Sequence, residues 1–172
     1  MMRKRIAFLA GAISFDNQSR VVDGVLKRAS EMGIDVYIFT CFVNYDELEE
    51  NKIGAFRIMD LPDFSTFDGV ICMKNSIKYE PAARSVVNRI IKSKVPAVSI
   101  DEKINGMHYV GISDYKSQKS IVEHLINEHH LTKINYVCGI LEGKEGADRY
   151  RAYRDAMAEP VSYTHLTLPT IA

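Results

Sequence analysis

The sequence predicts a doubly wound α/β protein built around a parallel sheet. Short runs of aliphatic and β-branched residues, the pattern of buried strands, alternate with longer stretches whose apolar residues recur at helical spacing. Strands separated by helices of this length form β-α-β units, in which the strands are parallel and the crossovers are right-handed. Hydrophobic residues make up 47% and charged residues 26% of the 172 residues, which is enough apolar material for a buried core.

The first half of the chain predicts three strands and three helices. The strands are residues 5–10, 35–41 and 70–73. The first helix, residues 18–32, carries an apolar stripe on one face and stops at Gly33. Residues 46–58 predict a weaker helix, because Gly54 interrupts them. The third helix opens with Pro81, since the first helical turn is the position that proline favours.

The second half continues the alternation as far as residue 158. Residues 96–100, 109–112 and 134–138 predict strands, residues 117–128 predict a helix, and another helix begins at residue 146. The segment after it breaks the pattern, because it has no helical stripe and Pro169 disfavours a central strand. Its amino-acid sequence is similar to the peptide that results when sequencing-adapter DNA is translated. We therefore expect residues 159–172 to be a non-native tail; a native edge strand is the alternative.

The composition argues against several classes of partner. Lys and Arg number 22 and Asp and Glu number 22, so no basic excess indicates that this segment contacts nucleic acid. No apolar run approaches the ~18 residues of a membrane span. The basic start resembles a signal peptide, but its apolar continuation is too short. Cys41, Cys72 and Cys138 lie in or at the end of strand-like runs and predict buried, reduced thiols. We expect a cytoplasmic protein without membrane contact.

Polar and aromatic residues follow several of the predicted strands. In an open parallel sheet, ligands bind beyond the carboxyl ends of the strands. A sugar or another polar metabolite needs hydrogen-bonding groups for its hydroxyls and an aromatic platform for its apolar face. The candidate ligand-binding residues on this ground are Ser14, Phe15, Asp16, Asn75, Asp101, Asp114 and Tyr115. The alternative is that they are helix caps and turns, with Asp16 or Asn17 capping the first helix.

The sequence contains no motif of the common enzyme classes. Gly11 is the single glycine where a dinucleotide-binding fold has G-x-G-x-x-G, and neither a phosphate-binding loop nor a nucleophile elbow is found. His124 and His129 are five residues apart, a spacing that does not place them on one helix face, and no cysteine or carboxylate completes a zinc set. We therefore expect no catalytic residue, no cofactor and no metal site.

Four segments of the second half together resemble one protein family. They are residues 110–115, 121–126, 133–139 and 149–157. In order and spacing they resemble the LacI/GalR-type sensor domain, which has the periplasmic-binding-protein-like type I fold, and the resemblance extends over nearly all of residues 4–158. An arginine that opens a helix in that family points at the ligand. The resemblance therefore adds Arg149 to the candidate ligand-binding residues, where a guanidinium can donate paired hydrogen bonds to ligand oxygens.

The resemblance implies two α/β lobes with a small molecule, most commonly a sugar, in the cleft between them. Residues 4–110 would form a complete first lobe and residues 111–158 the start of a truncated second lobe. Closure of the lobes on the ligand would bias an attached output domain. Sensors of this family pair through their first lobe, so we expect a homodimer. A second lobe that is cut short should expose apolar surface and retain ligand poorly.

The chain departs from the family at some positions, and these departures bear on its function. Ser113 and Asp114 stand where the family has Asp-Asn, and no helix-turn-helix precedes the first strand. Residues 61–64 and 123–126 resemble the corresponding segments of sensor domains that lack a helix-turn-helix and precede GGDEF diguanylate cyclase domains. We expect this chain to be the small-molecule sensing domain of a cytoplasmic signalling or transcriptional regulatory protein. The alternatives are the sensory part of a diguanylate cyclase, a regulator whose DNA-reading head lies elsewhere, and a stand-alone α/β enzyme.

Overall fold

Two compact units make up the chain. The structure, a computed structural model, describes residues 3–41, 49–139, 141 and 144–158. The predicted tail and the first three residues of the predicted helix 46–58 lie outside the described residues. The internal contacts divide the chain into Met1–Gly111 and Ile112–Ala172. Among the described residues, no helix is both long enough and apolar enough to cross a membrane.

The described residues of the first unit form a five-stranded parallel sheet with helices on both faces. Its strands are β1 Arg5–Gly11, β2 Asp35–Cys41, β3 Gly69–Met73, β4 Ala97–Ile100 and β5 His108–Val110. They lie in the order β2-β1-β3-β4-β5, and every neighbouring pair is parallel. The helices are α1 Asp16–Glu31, α2 Glu49–Phe56 and α3 Glu80–Ser93, with short 3-10 helices at Arg57–Asp60, Phe64–Thr66 and Lys74–Ser76. The predicted α/β fold class is confirmed.

Strand β1 lies between β2 and β3, and its side chains serve both faces of the sheet. Ala7 and Leu9 belong to the core cluster that includes the buried face of α3, whereas Phe8 and Ala10 belong to the cluster that includes α1. All four side chains are 0% exposed. Because successive side chains of a strand point to opposite faces, an uninterrupted apolar run fits a strand that is covered on both sides.

One arginine holds the connection between α2 and β3 in place. Arg89 of α3 donates hydrogen bonds to the main-chain carbonyls of Met59 at 2.8 Å, Asp60 at 3.0 Å and Pro62. Its guanidinium also lies 5.1 Å from the centre of the Phe64 ring. The guanidinium is planar and carries five donors in a fixed fork, so a single side chain satisfies three carbonyls of this irregular connection.

The described residues of the second unit form two helices, α4 Asp114–Asn127 and α5 Lys144–Ala158. They pack through one apolar cluster, whose buried members are Val122, Ile126, Tyr153 and Ala156. Ile134 and Tyr136 pack against this cluster, and the Tyr153 hydroxyl donates to the Ile134 carbonyl at 2.8 Å. This hydrogen bond anchors the segment between the helices to α5.

The prediction of a strand at residues 134–138 is wrong. No strand lies among the described residues of the second unit, so the backbone of this segment has no described strand to pair with. Cys138, predicted to be buried, is consequently exposed, whereas Cys41 and Cys72 are buried as predicted. Val137 is 94% and Ile112 is 72% exposed, which confirms the predicted exposure of apolar side chains in residues 111–158.

Candidate functional site

The candidate residues of the first unit follow the carboxyl ends of β1, β3 and β4. Strand β3 pairs with β1 on one side and with β4 on the other, so these three ends lie side by side. The structure therefore gathers at one edge of the sheet the loops that hold Ser14, Phe15, Asp16, Asn75 and Asp101. Phe15 is 50% exposed, and Ser14, Asp16 and Asp101 are exposed as well. Polar groups beside an exposed ring are what a polar small molecule requires.

Neither Asp16 nor Asn17 caps the first helix. Phe15 occupies the N-cap position with an extended backbone, and it makes no side-chain cap hydrogen bond. The helix begins at Asp16, where the helix dipole favours a negative charge. The capping interpretation is therefore wrong for these two residues, because the chain enters the helix earlier than the apolar stripe indicates.

A buried pair of hydrogen bonds fixes the loop after β3 against the end of β1. The amide of Gly11 donates to Ser76 Oγ at 2.9 Å, and Ser76 Oγ donates to the carbonyl of Met73 at 2.6 Å. Ser76 is buried, and a Cβ on Gly11 would lie 2.3 Å from the main-chain oxygen of Ser76. Only glycine permits this close approach, which also sets the position of the neighbouring Asn75.

The sequence interpretation missed an ion pair at the same edge. Lys74 Nζ lies 2.9 Å from Glu102 Oε1 and 3.9 Å from Glu80 Oε2. The hydrogen bond to Glu102 raises the pKa of the Lys74 ammonium. Lys74 precedes Asn75 and Glu102 follows Asp101, so the pair adds a cation and an anion to the candidate set. The two residues are 28 positions apart, and only the adjacency of β3 and β4 brings them together.

The candidate residues of the second unit are engaged with one another or with neighbours. Arg149 of α5 brings Nε and Nη2 within 2.7 Å of Asp114 Oδ1. The hydrogen bond to this carboxylate raises the pKa of the Arg149 guanidinium. The Tyr115 hydroxyl donates to Asp155 Oδ2 at 2.7 Å, which raises the pKa of Tyr115. The Arg149 side chain remains 50% exposed, so a ligand that binds it would share or replace its bond to Asp114.

The expectation that helical spacing separates His124 from His129 is wrong. Helix α4 ends at Asn127, so His129 lies beyond it and the helical spacing does not apply. The backbone of His130 has a φ of 55°, and the amide of Leu131 returns to the carbonyl of Leu125 at 3.1 Å. The two imidazole Nε2 atoms are 3.2 Å apart. Among the described residues, no group of three or more metal-ligating side chains occurs.

A groove of about 470 Å³ in the first unit lies away from the candidate residues. Leu61, Phe64, Arg89 and Lys92 contribute to its walls, and none of the candidate ligand-binding residues does. Three donors of Arg89 already bind main-chain carbonyls, so these donors are not available to a ligand in the groove.

Solved structures share the fold of this chain. The glucose-galactose binding protein GanP from Geobacillus stearothermophilus has a TM-score of 0.65 at 21% identity, over 92% of this chain and 55% of that chain. The arabinose binding protein AraP from the same organism has a TM-score of 0.71 at 12% identity, over 92% and 52%. The transcription regulator CcpA of Lactococcus lactis has a TM-score of 0.60 at 19% identity, over 92% and 54%.

These similarities establish the fold, which is of the periplasmic-binding-protein-like type I class. The solved structures named above are binding proteins and a regulator. The chain spans about half the length of each of them. No protein-family model and no curated protein sequence matches the chain.

Proposed function

We propose that this chain is the small-molecule sensing part of a signalling or transcriptional regulatory protein. The observation that carries the proposal is the set of polar and aromatic side chains at the carboxyl ends of the three neighbouring strands β1, β3 and β4. Ligands of open parallel sheets bind at this edge, and the fold is shared with sugar-binding proteins and with regulators. A sugar is the proposed ligand class, because hydroxyls need such donors and acceptors and a sugar's apolar face stacks on a ring.

Five of the candidate residues have a proposed role that follows from their chemistry. The carboxylates of Asp16 and Asp101 accept hydrogen bonds from ligand hydroxyls, and Phe15 provides the stacking surface. Asn75 both donates and accepts through its amide. In the second unit, Arg149 donates to a ligand oxygen. Participation of the second unit is inferred from the resemblance to two-lobed sensors.

A nuclear magnetic resonance titration of the ¹⁵N-labelled 172-residue chain tests the proposal. A panel of pentoses and hexoses that includes glucose, galactose and arabinose is added to ~10 mM, where a Kd near 1 mM, about −4 kcal/mol, is easily detected. We expect one sugar to shift the amide signals of Asn75 and Asp101 saturably. Binding should be weak, since we expect the second lobe to be truncated. Absence of any saturable shift would contradict the proposal, and tight binding would contradict the expected truncation.

Two matched variants make the titration specific. Asp101→Asn replaces a carboxylate at the proposed edge, and should weaken the binding about tenfold because a charged acceptor becomes a neutral one. Asparagine also tolerates the φ of 65° found at this position. Asp35→Asn makes the same change at the first residue of β2, on the opposite edge of the sheet, and should leave binding unchanged. Equal effects of the two variants would place the ligand elsewhere.

The finer parts of the proposal concern the whole protein. We propose a cytoplasmic homodimer that pairs through its first lobe, with an output domain of the GGDEF diguanylate cyclase type or a DNA-reading head as the regulated part. Sequencing the source DNA beyond the codon for Glu159 tests the choice of output domain. A reading frame that continues into an output domain would identify it, and a frame that ends at Ala172 would contradict the two-lobe proposal. Size-exclusion chromatography with light scattering measures the oligomeric state.

A further inference from the structure

Beyond helix α4 the chain folds back and places two histidines side by side. The amide of Glu128 still bonds to the carbonyl of His124 at 2.9 Å, but the next residues leave the helical path. His130 adopts a φ of 55°, and the Leu131 amide returns to the Leu125 carbonyl. This reversal brings the ring of His129 against the ring of His124, which projects from the last turn of the helix.

The two rings lie close enough together to be ligands of one metal ion. Their Nε2 atoms are 3.2 Å apart, and the ring centres are 4.9 Å apart with an angle of 80° between the planes. An ion at the usual distance of about 2.0–2.1 Å from both Nε2 atoms would make an N–metal–N angle of about 100°, close to the tetrahedral value. If each ring pointed straight at that ion, the ring centres would lie about 5.0 Å apart.

The contact also meets the geometry of a hydrogen bond whose direction depends on the tautomer, but a head-on hydrogen bond would be arranged differently. Two imidazoles that face each other head-on with nitrogens 3.2 Å apart would have ring centres about 5.6 Å apart, because each centre lies about 1.2 Å behind its nitrogen. The observed separation of 4.9 Å shows that the rings are bent away from the head-on line.

The surroundings of the pair indicate which ions would bind. Both histidines are exposed, so water can occupy the remaining coordination positions. No third ligand side chain joins them among the described residues, which makes the pair an open chelate and not a closed structural site. Imidazole nitrogens suit Zn²⁺, Ni²⁺ and Cu²⁺, whereas Mg²⁺ and Ca²⁺ prefer oxygen ligands.

We propose that His124 and His129 bind a divalent transition-metal ion of the zinc, nickel and copper class. The site holds the ion through the two Nε2 atoms and leaves the other positions to water. It lies in the second unit and involves none of the residues proposed to bind the sugar, so it stands independently of the proposed function.

Isothermal titration calorimetry with Zn²⁺ tests the site on the full 172-residue chain. The chain carries Cys138→Ala to remove the exposed thiol, and the buffer is at about pH 7.5, because metal binding requires deprotonated ligands. We expect one ion per chain with a Kd in the micromolar range. Both His124→Gln and His129→Gln should weaken binding at least about tenfold, because each removes one of two protein ligands.

A third histidine provides the matched control. His108→Gln alters an exposed histidine on β5, which lies in the first unit, and it should leave the Kd unchanged. Far-ultraviolet circular dichroism shows whether each variant keeps its helices, which is expected since both paired rings are exposed. The proposal is overturned if the parent chain binds no Zn²⁺ up to millimolar concentration, or if only one of the two variants loses affinity. It is also overturned if His108→Gln weakens binding as much as they do.

Discussion

Replacing Gly11 by alanine should disrupt the edge of the sheet at which the ligand is proposed to bind. Gly11 is the last residue of β1, and the added Cβ would lie 2.3 Å from the main-chain oxygen of Ser76 and 3.3 Å from Cα of Ile77. Ordinary contacts of a Cβ begin at 3.4 Å, so the closest contact is about 1 Å too short. The obstructing atoms belong to the main chain and the site is buried, so the clash cannot be relieved by rotating a side chain.

The cost follows from two losses. Forcing extra volume into a packed interior costs about 1–3 kcal/mol, and a main-chain obstacle places this site at the upper end. The movement that relieves the clash also lengthens the hydrogen bond from the Gly11 amide to Ser76 Oγ, which is worth about 1 kcal/mol. We expect Gly11→Ala to lower the free energy of unfolding by about 3 kcal/mol, or to lower the urea midpoint by at least ~1 M.

Urea unfolding followed by far-ultraviolet circular dichroism measures the effect, and Gly24→Ala is the matched control. Gly24 lies in α1, and an added Cβ there meets nothing within 4 Å. Alanine should therefore stabilise the helix by about 0.5–1 kcal/mol. If Gly11→Ala prevents folding, the milder Ser76→Ala should cost about 1–3 kcal/mol by leaving the Gly11 amide unpaired. A Gly11→Ala midpoint equal to that of the parent protein would refute the reasoning.

Four further predictions follow from the contacts and the burial described above. Arg89→Lys should lower the free energy of unfolding by about 1–2 kcal/mol, because an ammonium group cannot reproduce the guanidinium fork that reaches three carbonyls. An unchanged urea midpoint would contradict this prediction. Iodoacetamide at about pH 8 should modify Cys138 and spare Cys72, as peptide mass spectrometry would show, because Cys138 is exposed while burial raises the pKa of Cys72 to about 12. The stability that the protonated Cys72 thiol confers is fully present below its ordinary pKa of 9.0 and should be lost as the pH rises from there towards 12. Urea midpoints measured across this pH range should show the loss, and the Cys72→Ala variant should not show it. Tyr153→Phe should cost about 1 kcal/mol and speed amide exchange near Ile134, and unaltered exchange would count against that hydrogen bond.

Local pattern was enough to predict the fold class. The apolar run of β1 and the helical stripes of α1 and α3 are properties of neighbouring residues, and burial on both faces of a parallel sheet follows from them. The start of α3 beside Pro81 was predicted because the fixed φ of proline suits a first helical turn. The strand ends predicted from the sequence also lie along one edge, since parallel strands all have their carboxyl ends there.

Only the tertiary structure decided which distant residues meet. The pairing of Lys74 with Glu102 depends on β3 and β4 being neighbours, and the contact of Gly11 with Ser76 depends on β1 lying beside β3. Neither leaves a signal in the local sequence. The segment at residues 134–138 shows the converse: its composition favours a strand, but a strand forms only where a partner satisfies its amides and carbonyls. The sequence by itself determined most of the elements and the edge at which the strands end, because these depend on near neighbours. The order of the strands brings Lys74 and Glu102 together, and the reversal of the chain after α4 brings His124 and His129 together. Such contacts between residues far apart exist only once the chain has folded.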